Sequence, residues 1–282
     1  MLTEQSIRLP SGATLRYVEQ GPSDATPLIL LHGFPDSWLS YETVLANLPS
    51  TIHAIALSQR GFGNSDKLED GGYHPRDLAA DLADVMKLLR IPRAILAGHS
   101  MGALVAQSFA VAFPERVAGL VLIGTFKAQH DNAELAVLID EVSTMSDPID
   151  PDLVRAFQAS TLAQQVHDEF FRKVVAEGAR LPLSIWRAAL KEIAAYDDFA
   201  ALSQIAAPTI LFWGERDGFS SYEQQQELAS EIPGAELRVY AGAGHSLQWE
   251  EPRRFAGDLA NFVRTLENNA AARPPLEKRM SA

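Results

Sequence analysis

Ser100 stands at the centre of Gly98-His99-Ser100-Met101-Gly102, a hydroxyl between two glycines at the spacing that suits acyl transfer through a serine nucleophile. The apolar run Ala94-Ile95-Leu96-Ala97 before it reads as a short buried strand, and a helical pattern runs from Ala103 to Phe113 after it. So tight a strand-to-helix turn forces strained backbone angles on the serine, and the positions two residues either side must lack bulk. Gly98 and Gly102 meet that need. The turn lifts the hydroxyl clear of the sheet at the positive end of a helix, where developing negative charge is favoured. A glycine-rich turn with an incidental serine has the same local pattern, so the rest of the chain must supply the partners.

Those partners are a base and an orienting acid. Of seven histidines, His167 and His245 lie within or beyond the long helical stretch that follows the serine. His245 sits in Ala241-Gly242-Ala243-Gly244-His245-Ser246, where small neighbours let an imidazole reach over the carboxyl edge of a sheet. His167, among Gln165, Asp168 and Glu169, is expected to be solvated. Glu215 and Asp217 both follow a buried strand, in Trp213-Gly214-Glu215-Arg216-Asp217-Gly218; Asp217 is preferred because Gly218 suits a loop that turns inward. An oxyanion hole needs amide donors, expected from Met101 N–H and from Phe34 N–H in His32-Gly33-Phe34-Pro35, with His32 shaping the loop. Phe34, Trp38, Met101, Phe126, Trp186, Phe219 and Leu247 are the candidate apolar lining of a substrate pocket.

The elements that must hold these residues alternate in type. Ser6–Leu9 and Leu15–Glu19 flank Pro10-Ser11-Gly12 as a strand pair, and Pro27–Leu31 is a continuously apolar strand covered on both faces. A helix is expected over Ser40–Leu48, a strand over Ile52–Leu57, a helix from Pro75 and a strand over Val117–Ile123. From about Asp131 to Phe199 only helical patterns occur, punctuated by Pro148, Pro151, Gly178 and Pro182. Strands resume at Thr209–Gly214 and Glu236–Tyr240, with helices at Tyr222–Ser230 and Pro252–Leu266. The expected architecture is α/β, a mostly parallel doubly wound sheet with an inserted helical cap. Residues 1–126 and 204–267 form its core, 127–203 the cap and 268–282 a disordered tail.

At 282 residues the chain can bury one large core, and 47% hydrophobic with 21% charged residues describes an ordinary globular protein. A net charge of −12 argues against nucleic acid or an anionic membrane as partner. No cysteine is present, which excludes disulfides, thiolate metal sites and cysteine nucleophiles. The first residues lack the pattern of a signal peptide, and no apolar run approaches a membrane span, so a cytoplasmic location is the expectation. The chemistry read here calls for neither cofactor nor metal.

His32-Gly33-Phe34-Pro35, Arg60-Gly61-Phe62-Gly63-Asn64-Ser65, Gly98-His99-Ser100-Met101-Gly102, Trp213-Gly214-Glu215-Arg216-Asp217 and Gly244-His245 together resemble the α/β-hydrolase superfamily, over about Ser6 to Leu266. Within it the chain looks most like small bacterial serine esterases and lactonases. That resemblance implies hydrolysis of a small carboxylic ester or lactone by Ser100, Asp217 and His245 through an acyl-enzyme. Carbon–carbon bond hydrolysis, cofactor-free perhydrolase or haloperoxidase activity, and a receptor-like binding protein with a weakly active triad are the alternatives. His32 to Trp38 is also similar to epoxide hydrolases and haloalkane dehalogenases, but these use an aspartate where this chain has Ser100. Ser58 departs from the aspartate common two residues before the Arg60-Gly61 pair.

Overall fold

The computed structural model describes residues 2–68, 71–129 and 132–272. Its centre is an eight-stranded sheet. The strands are β1 (Gln5–Arg8), β2 (Thr14–Gln20), β3 (Leu28–Leu31), β4 (Ala54–Ser58), β5 (Ala94–His99), β6 (Val117–Ile123), β7 (Thr209–Gly214) and β8 (Glu236–Tyr240). Their order is β1-β2-β4-β3-β5-β6-β7-β8. β2 runs antiparallel to both β1 and β4, and every pairing from β4 through β8 is parallel.

The apolar runs read from the sequence are strands buried on both faces, and alternate residues supply two separate cores. Ile29, Leu31, Leu96, Leu120, Leu122 and Leu211 point into one. Leu28, Leu30, Ile95, Val121, Ile123, Ile210 and Phe212 point into the other. The helices of the two layers are α1 (Glu42–Leu45), α2 (Pro75–Leu88), α3 (Met101–Ala112), α4 (Ala133–Thr144), α5 (Pro151–Ser160), α6 (Asp168–Ala179), α7 (Leu183–Ala195), α8 (Tyr222–Glu231), α9 (Leu247–Glu250) and α10 (Pro252–Ala271). α2 and α3 cover the first face, and α1, α9 and α10 contribute to the second. After β4 the chain crosses to the other side of β3 and builds outward through β5 to β8, so the ends of β3 and β5 form the topological switch point.

Among the described residues between β6 and β7, the regular elements are α4 to α7 and a 3-10 turn at Phe199–Gln204. Asn132, Asp150 and His167 cap α4, α5 and α6 by accepting from backbone N–H groups two or three residues on. The buried sides of α4 and α7, including Leu138, Val142, Trp186 and Leu190, join the core of the first sheet face.

Two boundaries differ from the sequence reading. The helix expected over Ser40–Leu48 is a 3-10 turn, Trp38–Tyr41, capped by Ser37, followed by the four-residue α1. The final helix continues past Leu266 to Ala271, so 268–271, expected as disordered tail, are helical; 273–282 lie outside the described residues. Alanine and asparagine extend a helix already anchored by Phe255, Leu259 and Val263, with no proline until 274. Among the described residues no helix is long and apolar enough to cross a membrane.

Candidate active site

Ser100 occupies the junction of β5 and α3 with φ 52° and ψ −117°, a left-handed conformation that costs a non-glycine residue about 1–3 kcal/mol. The surrounding packing enforces it. A Cβ at Gly98 would lie 2.2 Å from the Gly102 carbonyl oxygen, and one at Gly102 would lie 2.2 Å from that of Leu31. Ser100 N donates to Ile123 O at 2.9 Å, and Ser100 O accepts from Ala103 N at 2.9 Å, so the serine is held by strand and helix at once.

The loop after β3 presses on this turn from the neighbouring strand: a Cβ on Gly33 would meet Ser100 Cβ at 3.2 Å. His32 shapes that loop, with Nδ1 donating to Gly33 O at 2.8 Å and Nε2 accepting from Gln59 N at 3.0 Å. Burial pushes His32 down to about 4, so the ring stays neutral. Phe62, from the Arg60–Ser65 loop, packs edge-on against both His32 and Phe34. Ser58, at the unusual position, accepts from Trp38 N at 3.1 Å and helps start the 3-10 turn. Among the described residues the Phe34 and Met101 amide N–H groups make no hydrogen bond, which leaves both donors free beside the serine.

On the far side of the sheet centre, Asp217 and His245 meet. Asp217 Oδ2 accepts from His245 Nδ1 at 2.9 Å, and both side chains are almost wholly buried. The carboxylate accepts three further bonds, from Phe219 N at 2.7 Å, Ser220 N at 3.3 Å and Ser220 Oγ at 3.0 Å. A carboxylate partner places the imidazole proton on Nδ1 and leaves the Nε2 lone pair available. Glu215 turns elsewhere, accepting from Gly242 N at 2.9 Å. His99, the residue before the serine, lies 4.9 Å ring to ring from His245 and donates from Nε2 to His245 O at 3.2 Å. Burial holds its pKa well below the usual value, so it is a neutral strut. His167 caps α6 at the surface.

Ser100 and His245 open onto one narrow cavity. The hydrogen bond between Ser100 Oγ and His245 Nε2 is not formed among the described residues; such contacts commonly tighten only with substrate in place. Phe34, Phe126 and Phe219 line the cavity, together with Phe157, Leu135, Leu190 and Ile193 from the inserted helices. Besides Ser100 and His245, the polar part of the wall comprises Asp36, His99, Gln129, Gln158, Thr161 and Ser246.

Four residues expected in this lining are elsewhere. Trp186 is fully buried one layer back, its ring 4.7 Å from that of Phe34 and its Nε1 donating to Gly178 O at 3.2 Å. Leu190 and Ile193, one and two turns further along α7, take the wall instead. Trp38 packs toward the second sheet face and donates to Glu4 Oε1 at 2.9 Å. Leu247 is core beneath the His245 loop. The Met101 side chain likewise enters the sheet core rather than the cavity.

Asp36 was not singled out as a site residue in the sequence, yet it is a buried carboxyl in the cavity wall. Its Oδ1 accepts from Gln158 Nε2 at 2.8 Å and its Oδ2 from Ser40 Oγ at 3.2 Å. Desolvation raises it to about 7. The inserted helices are also fastened to the His245 loop. Ser246 N donates to Thr161 O at 3.0 Å, and Glu250 accepts from Gly244 N at 2.7 Å and Gln164 N at 2.9 Å.

The model of the alpha/beta hydrolase fold matches residues 26–252. A Variovorax paradoxus protein provisionally named carbamate hydrolase RutD is 30% identical over 88% of this chain and 96% of its own length. A 2-hydroxy-6-oxononadienedioate/2-hydroxy-6-oxononatrienedioate hydrolase of Paraburkholderia phymatum is 29% identical over 90% of this chain and 93% of its own. Among solved structures, a thermophilic esterase from Thermogutta terrifontis superposes with a TM-score of 0.80 at 25% identity, covering 94% of this chain and 99% of its own. With the fold, the strained serine turn and a family match over most of its length, this chain belongs to the alpha/beta hydrolase family.

Proposed function

We propose that this hydrolase cleaves a small carboxylic ester or lactone through an acyl-enzyme on Ser100. The observation that carries the reading is a hydroxyl raised on a strained turn into the same cavity as an imidazole whose Nδ1–H is fixed by a buried carboxylate. His245 Nε2 takes the proton as Ser100 Oγ attacks the carbonyl, and the Phe34 and Met101 amides receive the oxyanion. The imidazolium, balanced by Asp217, protonates the departing alcohol; His245 then activates water to release the acid. No step requires a metal or an external cofactor.

We read α4 to α7 as a cap over the mouth that keeps bulk water from the acylated serine. The narrow cavity, closed in by Phe34, Phe157 and Phe219, favours short acyl or alkoxy groups. The Paraburkholderia relative's name describes a dioate, a doubly anionic substrate. Among the described residues that line this cavity there is no lysine or arginine to balance such charge, and Asp36 adds a carboxyl. That favours an uncharged ester or lactone over a dioate of that kind.

A fluorophosphonate probe and 4-nitrophenyl acetate test the reading together. The probe should label Ser100 stoichiometrically, and Ser100→Ala should lose labelling and about 10⁶-fold in turnover. Retention of a few per cent of the activity by Ser100→Ala would refute it.

A further inference from the structure

We propose that Asp36 sets the charge of the group this cavity accepts, turning away carboxylates and admitting small uncharged or cationic groups such as amidines and amines. The inference rests on the reading above that this cavity receives the substrate. It concerns a side chain that the proposed acyl transfer does not use.

The placement is specific. Asp36 comes from the core, two residues after the proposed oxyanion donor Phe34, and faces the same space as Ser100 and His245. One of its oxygens is held by the cap through Gln158 and the other by the core through Ser40. Ser40 Oγ is itself fixed, accepting from Trp249 Nε1 at 3.0 Å. The carboxyl therefore cannot swing away from an unwelcome ligand. A carboxylate has about four acceptor positions, and two are in use, so each oxygen keeps one for a ligand donor. A planar, two-donor cation matches that fork.

The rest of the wall acts with the same sign. The rings of Phe34, Phe157 and Phe219 pack in succession, Phe34 to Phe157 at 5.9 Å and Phe157 to Phe219 at 6.1 Å. Aromatic faces carry partial negative charge and attract cations. No lysine or arginine lines the cavity among the described residues. The hydrogen bonds from Gln158 and Ser40 lower the pKa of Asp36; more weakly, Glu177 of α6 raises it and His245 lowers it, and the buried Tyr41 beside it stays protonated. Burial is the largest influence and brings the carboxyl to about 7, so at pH 8 it is mainly ionised.

Propionate, propionamide and propionamidinium are nearly isosteric, planar and carry charges of −1, 0 and +1. Their affinities should be measured at pH 8 by calorimetry on Ser100→Ala, and as inhibition constants for 4-nitrophenyl acetate hydrolysis by the unmodified protein. Propionamidinium should bind about tenfold more tightly than propionamide, and propionate about tenfold more weakly, as expected for unit charges meeting a desolvated carboxylate. In Asp36→Asn the three should converge. Asp36→Ser, smaller but still able to accept from Gln158, repeats the comparison should the asparagine variant not fold. Equal affinities in the unmodified site, a spread that survives neutralisation of Asp36, or no binding at all would each overturn the assignment. Fluorophosphonate labelling of Ser100 in the unmodified protein shows separately whether the hydrolase reading has failed as well.

Discussion

Replacing Asp217 by asparagine should abolish most of the activity while leaving the fold in place, and the hydrogen bonds around it explain both halves. Oδ1 accepts from the Phe219 and Ser220 amides, which only an oxygen can do, so the asparagine carbonyl must take that side. The new NH₂ then faces His245 Nδ1 and must donate to it. Nδ1 loses its proton to Nε2, and the base can no longer accept from Ser100. The same inversion in a comparable triad lowers kcat about 10⁴-fold, which is about 5.5 kcal/mol of barrier. Stability should change little, because Ser220 Oγ can reverse its bond and accept from the new amide while both backbone donors stay satisfied. Glu215→Gln is the matched control, a carboxylate two residues away in the same turn. Its amide oxygen can still accept from Gly242 N, so activity should stay within about threefold. The assay is kcat and kcat/KM on a 4-nitrophenyl ester, with thermal unfolding of each variant. A loss below tenfold in Asp217→Asn, or equal losses in both, would refute the reasoning and return the acid to an open choice.

Trp186→Ala should cost about 3–5 kcal/mol of stability, because the ring is fully buried behind Phe34, while relative rates across an ester length series stay unchanged. A changed selectivity profile with an unaltered melting temperature would contradict that placement. Stability against pH should carry the mark of Asp36. Its folded pKa, about 7, lies above the ordinary 3.8, so between these values the folded state holds a proton the unfolded state has released, and that stabilisation is lost as pH rises. Relative to Asp36→Asn, the unmodified protein should gain about 3 kcal/mol on going from pH 8 to pH 5, measured by urea unfolding; a flat difference would contradict a desolvated carboxyl. His32 acts the opposite way. Its pKa falls from 6.5 to about 4 on folding, so in both proteins stability declines as pH drops through that range, and the difference measurement removes it.

Much of the fold was legible because its central strands are short runs of apolar residues buried on both faces, and such runs have few other stable uses. The serine turn was legible for a related reason: no side chain fits at 98 or 102, so the glycines betray the backbone's path. The short helix pair at Trp38–Leu45 was misjudged because its apolar residues satisfy a longer helical pattern equally well.

The sequence by itself determined the strand–helix alternation, the strained serine turn and the small set of acids and histidines that could serve it. Tertiary structure decided which of them meet. Glu215 and Asp217 share one turn, and only the way the Phe219 and Ser220 amides draw the chain inward brings Asp217 rather than Glu215 to His245. The cavity wall was decided at the same level. Trp186 and Leu190 lie one turn apart on the same helix and are equally apolar, so periodicity marks both as buried without saying against what. Asp36 is the clearest case: its burial comes from Gln158, 122 positions later, and from helices that no local pattern could place over it.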